Sequence, residues 1–305
     1  MQSRFLLVLA LVGCGDNTPA GQDASGDADV IDVPPSCGCT FGTPTPSATI
    51  ADTEAIELSG LGTSRALAGT VWTHNDSGDT ARLFAIGTDG ATRGVLSISG
   101  ATATDWEDMA IGPCGSGWCL YAADIGDNDL VRPRVRVYEI DEPAQISGAQ
   151  TANARTFDVA YPDGAHNSEA LIVDPRDGEA YIITKQTPPG PASPSKVFRM
   201  PKSAGVATAV EVGTLTLPTG NLLVTAADLY ADDCGVRLLV RTYSHVFELS
   251  GPPDTTIGDL LQATMTARPV AAEVQGEAIA WLPDGRGYLT VSEGANATLS
   301  RVSCE

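Results

Sequence analysis

From about residue 55 to the C-terminus, short runs of Val, Ile, Leu, Tyr, Thr and Ala alternate with turns built from Gly, Asp, Asn and Pro. Apolar runs of roughly four to eight residues between turn formers predict β-strands. No stretch holds a helical period for three turns. The pattern also returns. Trp106-Glu107-Asp108-Met109-Ala110-Ile111, Ser168-Glu169-Ala170-Leu171-Ile172-Val173 and Gly276-Glu277-Ala278-Ile279-Ala280-Trp281 superimpose position by position. Each is followed by a glycine-containing turn and a second strand, at Trp118 to Tyr121, Glu179 to Ile183 and Gly287 to Val291. A unit this small cannot bury its own apolar face, so its repetition predicts stacked neighbours.

First strands of successive units begin near Glu57, Trp106, Ser168, Thr225 and Gly276, spaced 49, 62, 57 and 51 residues apart. The last unit runs out after three strands, ending at Thr298 to Val302. Its missing outer strand can come from Glu54-Ala55-Ile56-Glu57-Leu58 or from the residues just before it. A circular array that borrows its first strand to finish its last unit leaves no raw sheet edge. The pattern therefore predicts an all-β chain folded as a five-bladed β-propeller, with an N-terminal strand closing the last blade. A sixth blade within 141–154 or 186–196 stays open as an alternative, and a β-sandwich is the less economical one.

Ahead of this domain, Arg4 and the apolar run Phe5 to Val12 form an export signal too short to span a bilayer. The run ends in Leu11-Val12-Gly13-Cys14, which resembles the lipobox of bacterial lipoproteins. That resemblance implies residues 1–13 as a signal peptide, a lipidated Cys14, a membrane anchor and an extracytoplasmic chain in the cell envelope. Residues 15–49 carry five aspartates, Asp16, Asp23, Asp27, Asp29 and Asp32, and no Lys or Arg. So polar a segment reads as an extended tether, leaving 50–305 as the propeller.

The whole chain has 38 acidic and 18 basic residues, a net charge of -20. This argues against nucleic-acid and anionic-lipid binding and suits cationic ligands, although solubility alone explains it equally well. Export gives the cysteines an oxidising compartment, where disulfides are expected. Cys114 and Cys119 flank a tight turn and are expected to pair. Cys234 with Cys304 is the second expected pair, leaving Cys37 and Cys39 for a small ring or for exchange with Cys304.

If strands run alternately up and down from the axis, the loop leading into each first strand shares a face with the turn between strands two and three. Most of the unusual polar residues fall on this upper face. Asp76-Ser77-Gly78-Asp79 and Asp124-Ile125-Gly126-Asp127 repeat Asp-x-Gly-Asp at the same turn of adjacent blades. The four aspartates, Asp76, Asp79, Asp124 and Asp127, are either calcium ligands or self-capped Asx turns. Glu107, Glu169 and Glu277, with Asp108 and Asp228, form an axial acid series. They either hold a cation or act as struts between blades, with Lys185 and Arg241 able to neutralise them. Trp106, Lys185, Arg241 and Tyr243 are candidate ligand contacts, and His74 and His166 are weak candidates for acid–base catalysis.

The strings HNDSGD (74–79), DWED (105–108), DIGDN (124–128), YPDG (161–164), SEAL (168–171) and GEAIAW…GRGYLTVSEG (276–294) resemble a family of exported bacterial β-propellers of unassigned function. That family is loosely similar to phytase-like and SdiA-regulated propellers. The resemblance implies the fold across about 55–303 but transfers no reaction, and the basic cluster of a phosphate-rich site is missing. Two function classes follow. One is a lipid-anchored binding or scaffold propeller, calcium-stabilised, monomeric and open to an unidentified small-molecule or protein ligand. The other is a metal-dependent hydrolase of a phosphoester or lactone. Replacing Cys14 with Ser should abolish fatty-acid labelling and membrane retention; labelling that persists in this variant would rule out the anchor.

Overall fold

The computed structural model describes residues 37–185, 194–218 and 222–305, all within one compact unit, Pro34–Glu305. The segment expected to be a signal peptide, Cys14 and the aspartate-rich stretch through Asp32 lie outside the described residues. Five sheets, each with its first strand innermost, form a five-bladed β-propeller. Blade 1 holds Leu58–Thr63, Thr70–Asn75, Arg82–Gly87 and Thr92–Ser99. Blade 2 holds Trp106–Cys114, Gly117–Asp124, Val135–Asp141 and Arg155–Ala160, and blade 3 holds Ser168–Val173, Ala180–Thr184, Ser195–Met200 and Val210–Leu215. Blade 4 is Val224–Asp232, Gly235–Thr242, Val246–Gly251 and Thr266–Arg268. Before its outer strand the chain makes a short helix, Ile257–Leu260, with Asp259 N donating to Oγ1 of the cap residue Thr256.

Blade 5 combines Gly276–Trp281, Gly287–Ser292 and Thr298–Ser303 with Thr45–Thr49, which pairs antiparallel to the C-terminal strand. The closing strand therefore lies upstream of Glu54-Ala55-Ile56-Glu57-Leu58, in the stretch assigned to the tether. Phe41 continues the contact by bridging to Cys304. Residues 37–49 thus belong to the propeller, and the boundary at residue 49 is corrected accordingly.

The alternative sixth blade does not form in 141–154, and residues 186–193 of the other stretch named for it lie outside the described residues. From the 141–154 segment, Gly148–Asn153 crosses to blade 1 and adds a parallel fifth strand beside Thr92–Ser99. Val206–Thr208 does the same for blade 2, parallel to Arg155–Ala160. Each excursion covers an edge that would otherwise present free backbone donors and acceptors.

Burial explains the order of strands. Inner strands such as Ser168–Val173 and Gly276–Trp281 are buried at every position, so they are near-continuously apolar. Outer strands such as Val210–Leu215 are mostly part-exposed. Five apolar clusters fill the five gaps between blades. Trp72 and Trp106 pack between blades 1 and 2, and Trp281 between blades 4 and 5. Trp118 departs from this pattern: it is 37 % exposed, with the Arg65 guanidinium 5.0 Å from its ring.

Cys114 pairs with Cys119 as expected. The other two bridges are Cys37–Cys234 and Cys39–Cys304, so the expected Cys234–Cys304 bridge is corrected. The physical reason is the closing strand, which carries the Cys37-Gly38-Cys39 segment to the lower ends of blades 4 and 5. One bridge spans 197 residues and the other 265. The first of them to form removes on the order of 3–5 kcal/mol of unfolded-state entropy. Non-reducing peptide mapping should return these two long-range pairs, and Cys37→Ser/Cys39→Ser should lower the melting temperature by roughly 10 °C. A Cys234–Cys304 peptide would contradict the assignment.

Candidate functional site

Every inner strand is irregular near its upper end. The register shifts between Leu58 and Leu61, Trp106 and Asp108, Ser168 and Ala170, Val224 and Ala226, and Gly276 and Ala278. The residues inside these bulges are Ser59-Gly60, Glu107, Glu169, Thr225 and Glu277. A bulge re-aims a side chain that a regular strand would direct elsewhere. In blades 1 and 4 the bulge residue ties to the next blade: Ser59 Oγ donates to Glu107 O, and Thr225 Oγ1 to Gly276 O at 2.9 Å. In blades 2, 3 and 5 it is a glutamate.

Below this layer two carboxylates join the blades across the axis. Asp108 Oδ2 accepts from Leu171 N (2.9 Å) and Ala227 N (3.3 Å), while Oδ1 accepts from Met109 N. A single side chain of blade 2 thereby holds blades 3 and 4. Asp228 Oδ2 accepts from Trp281 N of blade 5 at 2.7 Å. These two are struts, one of the roles the sequence left open for the acid series. Burial raises both: Asp108 stands well above the usual carboxylate range and Asp228 is pushed up to about 7, despite the amides that lower them.

Above the struts, Lys185 Nζ meets Glu169 Oε1 at 2.9 Å and Tyr243 Oη at 3.0 Å. Asn167 links this corner to blade 2, donating to Glu169 Oε1 and Asn128 Oδ1 while accepting from Asp127 N. Glu277 accepts from Gln275 Nε2 at 3.0 Å. Across the mouth, oxygens of Asp76, Asp105 and Glu107 lie within 4.8 Å of one another. Glu107 is only 5 % exposed, and among the described residues no N–H or O–H donates to its carboxylate. Gly126 makes the packing possible, because a β-carbon there would collide with Glu107 Oε1 and Asp105 Oδ2.

The mouth strains its acids. Burial, then the charges of Glu169, Asp76 and Asp105, holds Glu107 well above its ordinary value. Burial, then Asp76, pushes Asp105 up to about 6. Burial and the Glu169 charge push Glu277 up to about 8. Burial also raises Asp76 and Glu293. Lys185, the cation that moderates Glu107, Glu169 and Glu277, is itself held charged by Glu169.

The two Asp-x-Gly-Asp turns do not build one site. Asp79 accepts from Asn75 Nδ2, Thr80 N and Arg82 Nε, so its oxygens have internal partners. Asp127 caps Val131 N and Arg132 N. Asp124 pairs through Oδ1 with Arg132 and Asp105 N, while its Oδ2 is buried without a partner. Only Asp76 of the four joins the mouth acids. The structure adds Asp105, which stands two residues before Glu107. In an extended segment that spacing puts two side chains on one side, so the pair was legible in Asp105-Trp106-Glu107.

Three other expectations change. Trp106 is 1 % exposed, its indole N–H donates to Thr102 O and its ring packs beside Tyr138, so it faces the core. Arg241 is fully buried and paired with Glu273 at 2.5 Å, packed so tightly over Gly276 that a side chain there would collide with it. It braces blade 4 against blade 5 instead of lining the mouth. His74 is also fully buried, edge-on to Trp106, with Nδ1 at Asn75 O and its protonation disfavoured by burial. His166 is paired with Asp163 and packed on Tyr161 and Phe198. Neither histidine contacts a mouth carboxylate.

No protein-family model matches this chain, and no curated protein does. Solved structures do. The major allergen Mala s 1 of Malassezia sympodialis is similar over 87 % of this chain and 97 % of its own, with 10 % identity and a TM-score of 0.55. An alpha-L-arabinofuranosidase from Lactobacillus brevis is similar over 83 % of this chain and 92 % of its own, with 11 % identity and a TM-score of 0.51. At such identities these likenesses show the propeller fold alone.

Each raised acid binds its proton more tightly folded than unfolded. Between about pH 4 and pH 8 the folded state therefore carries more protons, and stability falls as pH rises through that window. In chelator the melting temperature should drop from pH 5 to pH 8, and Glu277→Gln should flatten the upper part of that slope. A melting temperature that rises steadily to pH 8 would show that the axial acids ionise freely.

Proposed function

We propose that this protein is an exported, lipid-anchored binding propeller whose working part is the acidic mouth, and that its ligand is cationic. The observation that carries this reading is the imbalance at the mouth. Asp76, Asp105, Glu107, Glu169, Glu277 and Glu293 crowd together there, with Lys185 as the cation acting on all but Asp105, which is moderated by Arg132, itself paired with Asp124. An entering positive charge would relieve that repulsion, and an entering anion would add to it. The disulfides agree with an extracytoplasmic location, and the Leu11-Val12-Gly13-Cys14 ending supports the anchor. The hydrolase alternative asked for His74 or His166 beside the acids; with both engaged elsewhere, the side chains favour binding.

The experiment is a comparison of charge. The full chain is titrated by calorimetry with cationic probes (calcium, magnesium, spermidine, arginine amide) and anionic ones (phosphate, acetate, galacturonate). At least one cation should bind, and Glu169→Gln or Glu277→Gln should weaken it by a few-fold. Lys185→Met should strengthen it, by removing the competing positive charge. Binding confined to the anionic probes would overturn the reading.

A further inference from the structure

We propose that Asp76, Asp105 and Glu107 form a calcium site that joins blade 1 to blade 2 at the mouth. This assignment rests on the cation-binding reading above and narrows it to a hard divalent ion. Calcium takes carboxylate oxygens at about 2.3–2.6 Å, so two oxygens opposite one another across the ion stand roughly 4.6–5.2 Å apart. The three side chains offer oxygens all within 4.8 Å of one another, a separation that one calcium shell spans. Magnesium, which demands strict octahedral geometry, dehydrates reluctantly and usually takes only one or two carboxylates, suits a set of three less well.

A cluster of acids is common on protein surfaces, and the case here turns on Glu107. It is nine-tenths buried, it points into the cluster, and among the described residues no N–H or O–H donates to it. Buried carboxylates ordinarily collect such donors, as Asp108 does with three backbone amides. Lys185 does not fill this need, since its ammonium is engaged by Glu169 and Tyr243, and the Glu169 carboxyl in hydrogen-bond contact with Glu107 is a second acid, not an N–H donor. Asp105 likewise accepts no hydrogen bond through its carboxylate among the described residues, whereas Asp79 and Asp127 close by are fully engaged. The donor set is thus selective: the unengaged carboxylates of Asp105 and Glu107 converge with Asp76, whose Oδ1 accepts from Ser77 N, while Asp79 and Asp127 turn to internal partners.

Position gives the ion a role. Asp76 begins the turn after Thr70–Asn75 of blade 1, Asp105 directly precedes the inner strand of blade 2, and Glu107 lies at its start. Both aspartates are part-exposed, which leaves the outer side of the ion to water or to a ligand's oxygen. Calcium would fix the two blades at the mouth and supply a positive centre opposite Lys185.

The test uses the full chain, treated with chelator and then titrated with calcium by calorimetry, with terbium luminescence as a second readout. One calcium per chain is expected, with a clear rise in melting temperature. Asp105→Asn and Glu107→Gln should each weaken calcium roughly tenfold or more, and Asp163→Asn, far from the cluster, should not. Should Glu107→Gln fail to fold, Asp76→Asn and Asp105→Asn, at part-exposed positions, carry the same test. Unchanged calcium affinity in these variants overturns the assignment. Absent calcium binding alongside spermidine or arginine amide binding that Glu277→Gln weakens also overturns it, while leaving the cationic mouth standing. Silence toward every cation overturns both.

Discussion

Closure of the ring is the constraint on which the rest depends. Each inner strand is buried on both faces and finds its partners only in the blades beside it, so one open gap would expose two apolar surfaces. The gap is prevented at blade 5, where Thr45–Thr49 completes a sheet that begins at Gly276. Phe41 packs on Tyr288 and Trp281, and Thr63 of blade 1 donates to Trp281 O, so the seam is joined by apolar and polar contacts together. Two disulfides then hold the same N-terminal segment to blades 4 and 5. A strand borrowed from so far along the chain carries a large loop-closure cost, and the covalent links offset it in the unfolded ensemble.

Once the ring is closed, the axis becomes crowded, and the sequence answers with small residues and carboxylates. Ala170, Ala226 and Ala278 occupy the position after the bulge in blades 3, 4 and 5, while blade 2 places Asp108 there. One aspartate there ties three strands, because it accepts from Met109 N of its own strand and from one backbone N–H on each of two facing strands, Leu171 N and Ala227 N. The mouth obeys a different balance. Two like charges about 4 Å apart cost roughly 4 kcal/mol at an effective dielectric of 20, less where water screens them. Three such pairs among Asp76, Asp105 and Glu107 would approach the whole stability of a typical domain. The acids therefore retain protons or take up a cation. The raised pKa values are the proton branch of that choice.

The sequence carried the fold well and the site only in part, for reasons that individual residues make plain. Five units, their inner strands and the Cys114–Cys119 turn were legible because apolar periodicity and turn residues are local signals. The closing strand is legible only as a choice between 54–58 and the residues just before it, because Thr45-Pro46-Ser47-Ala48-Thr49 lacks apolar residues other than Ala48; its strand character comes from the edge it covers. The cysteine pairing depends on that choice, since Cys37 and Cys39 reach blades 4 and 5 only when the strand is in place. At the site, the axial glutamates were legible as a repeated position. What repetition cannot reveal is which acids are already engaged. Asp79 and Asp127 look like Asp76 in sequence, yet Arg82 occupies one and a loop backbone the other. His74 and Arg241 looked like mouth residues because they end strands on the upper face, but both side chains turn into the packing between blades.

That last contrast bears on how a propeller of this kind separates stability from binding. On the inner strands of blades 2 and 4 the lower carboxylates, Asp108 and Asp228, are engaged by backbone amides of other blades. The upper ones sit at bulges, where the backbone has already left the regular ladder and can supply few donors. A carboxylate at a bulge is therefore under-satisfied by construction, and its remaining partner must come from a neighbouring loop or from outside. Glu169 finds Lys185 and Asn167, Glu277 finds Gln275, and Glu107 finds neither amide nor ammonium. The asymmetry of the mouth follows from this sequence of partners. The same architectural irregularity, repeated in five blades, yields internal ties in blades 1 and 4, an ion-paired acid in blade 3, an amide-bonded acid in blade 5, and an open set of oxygens beside blade 2.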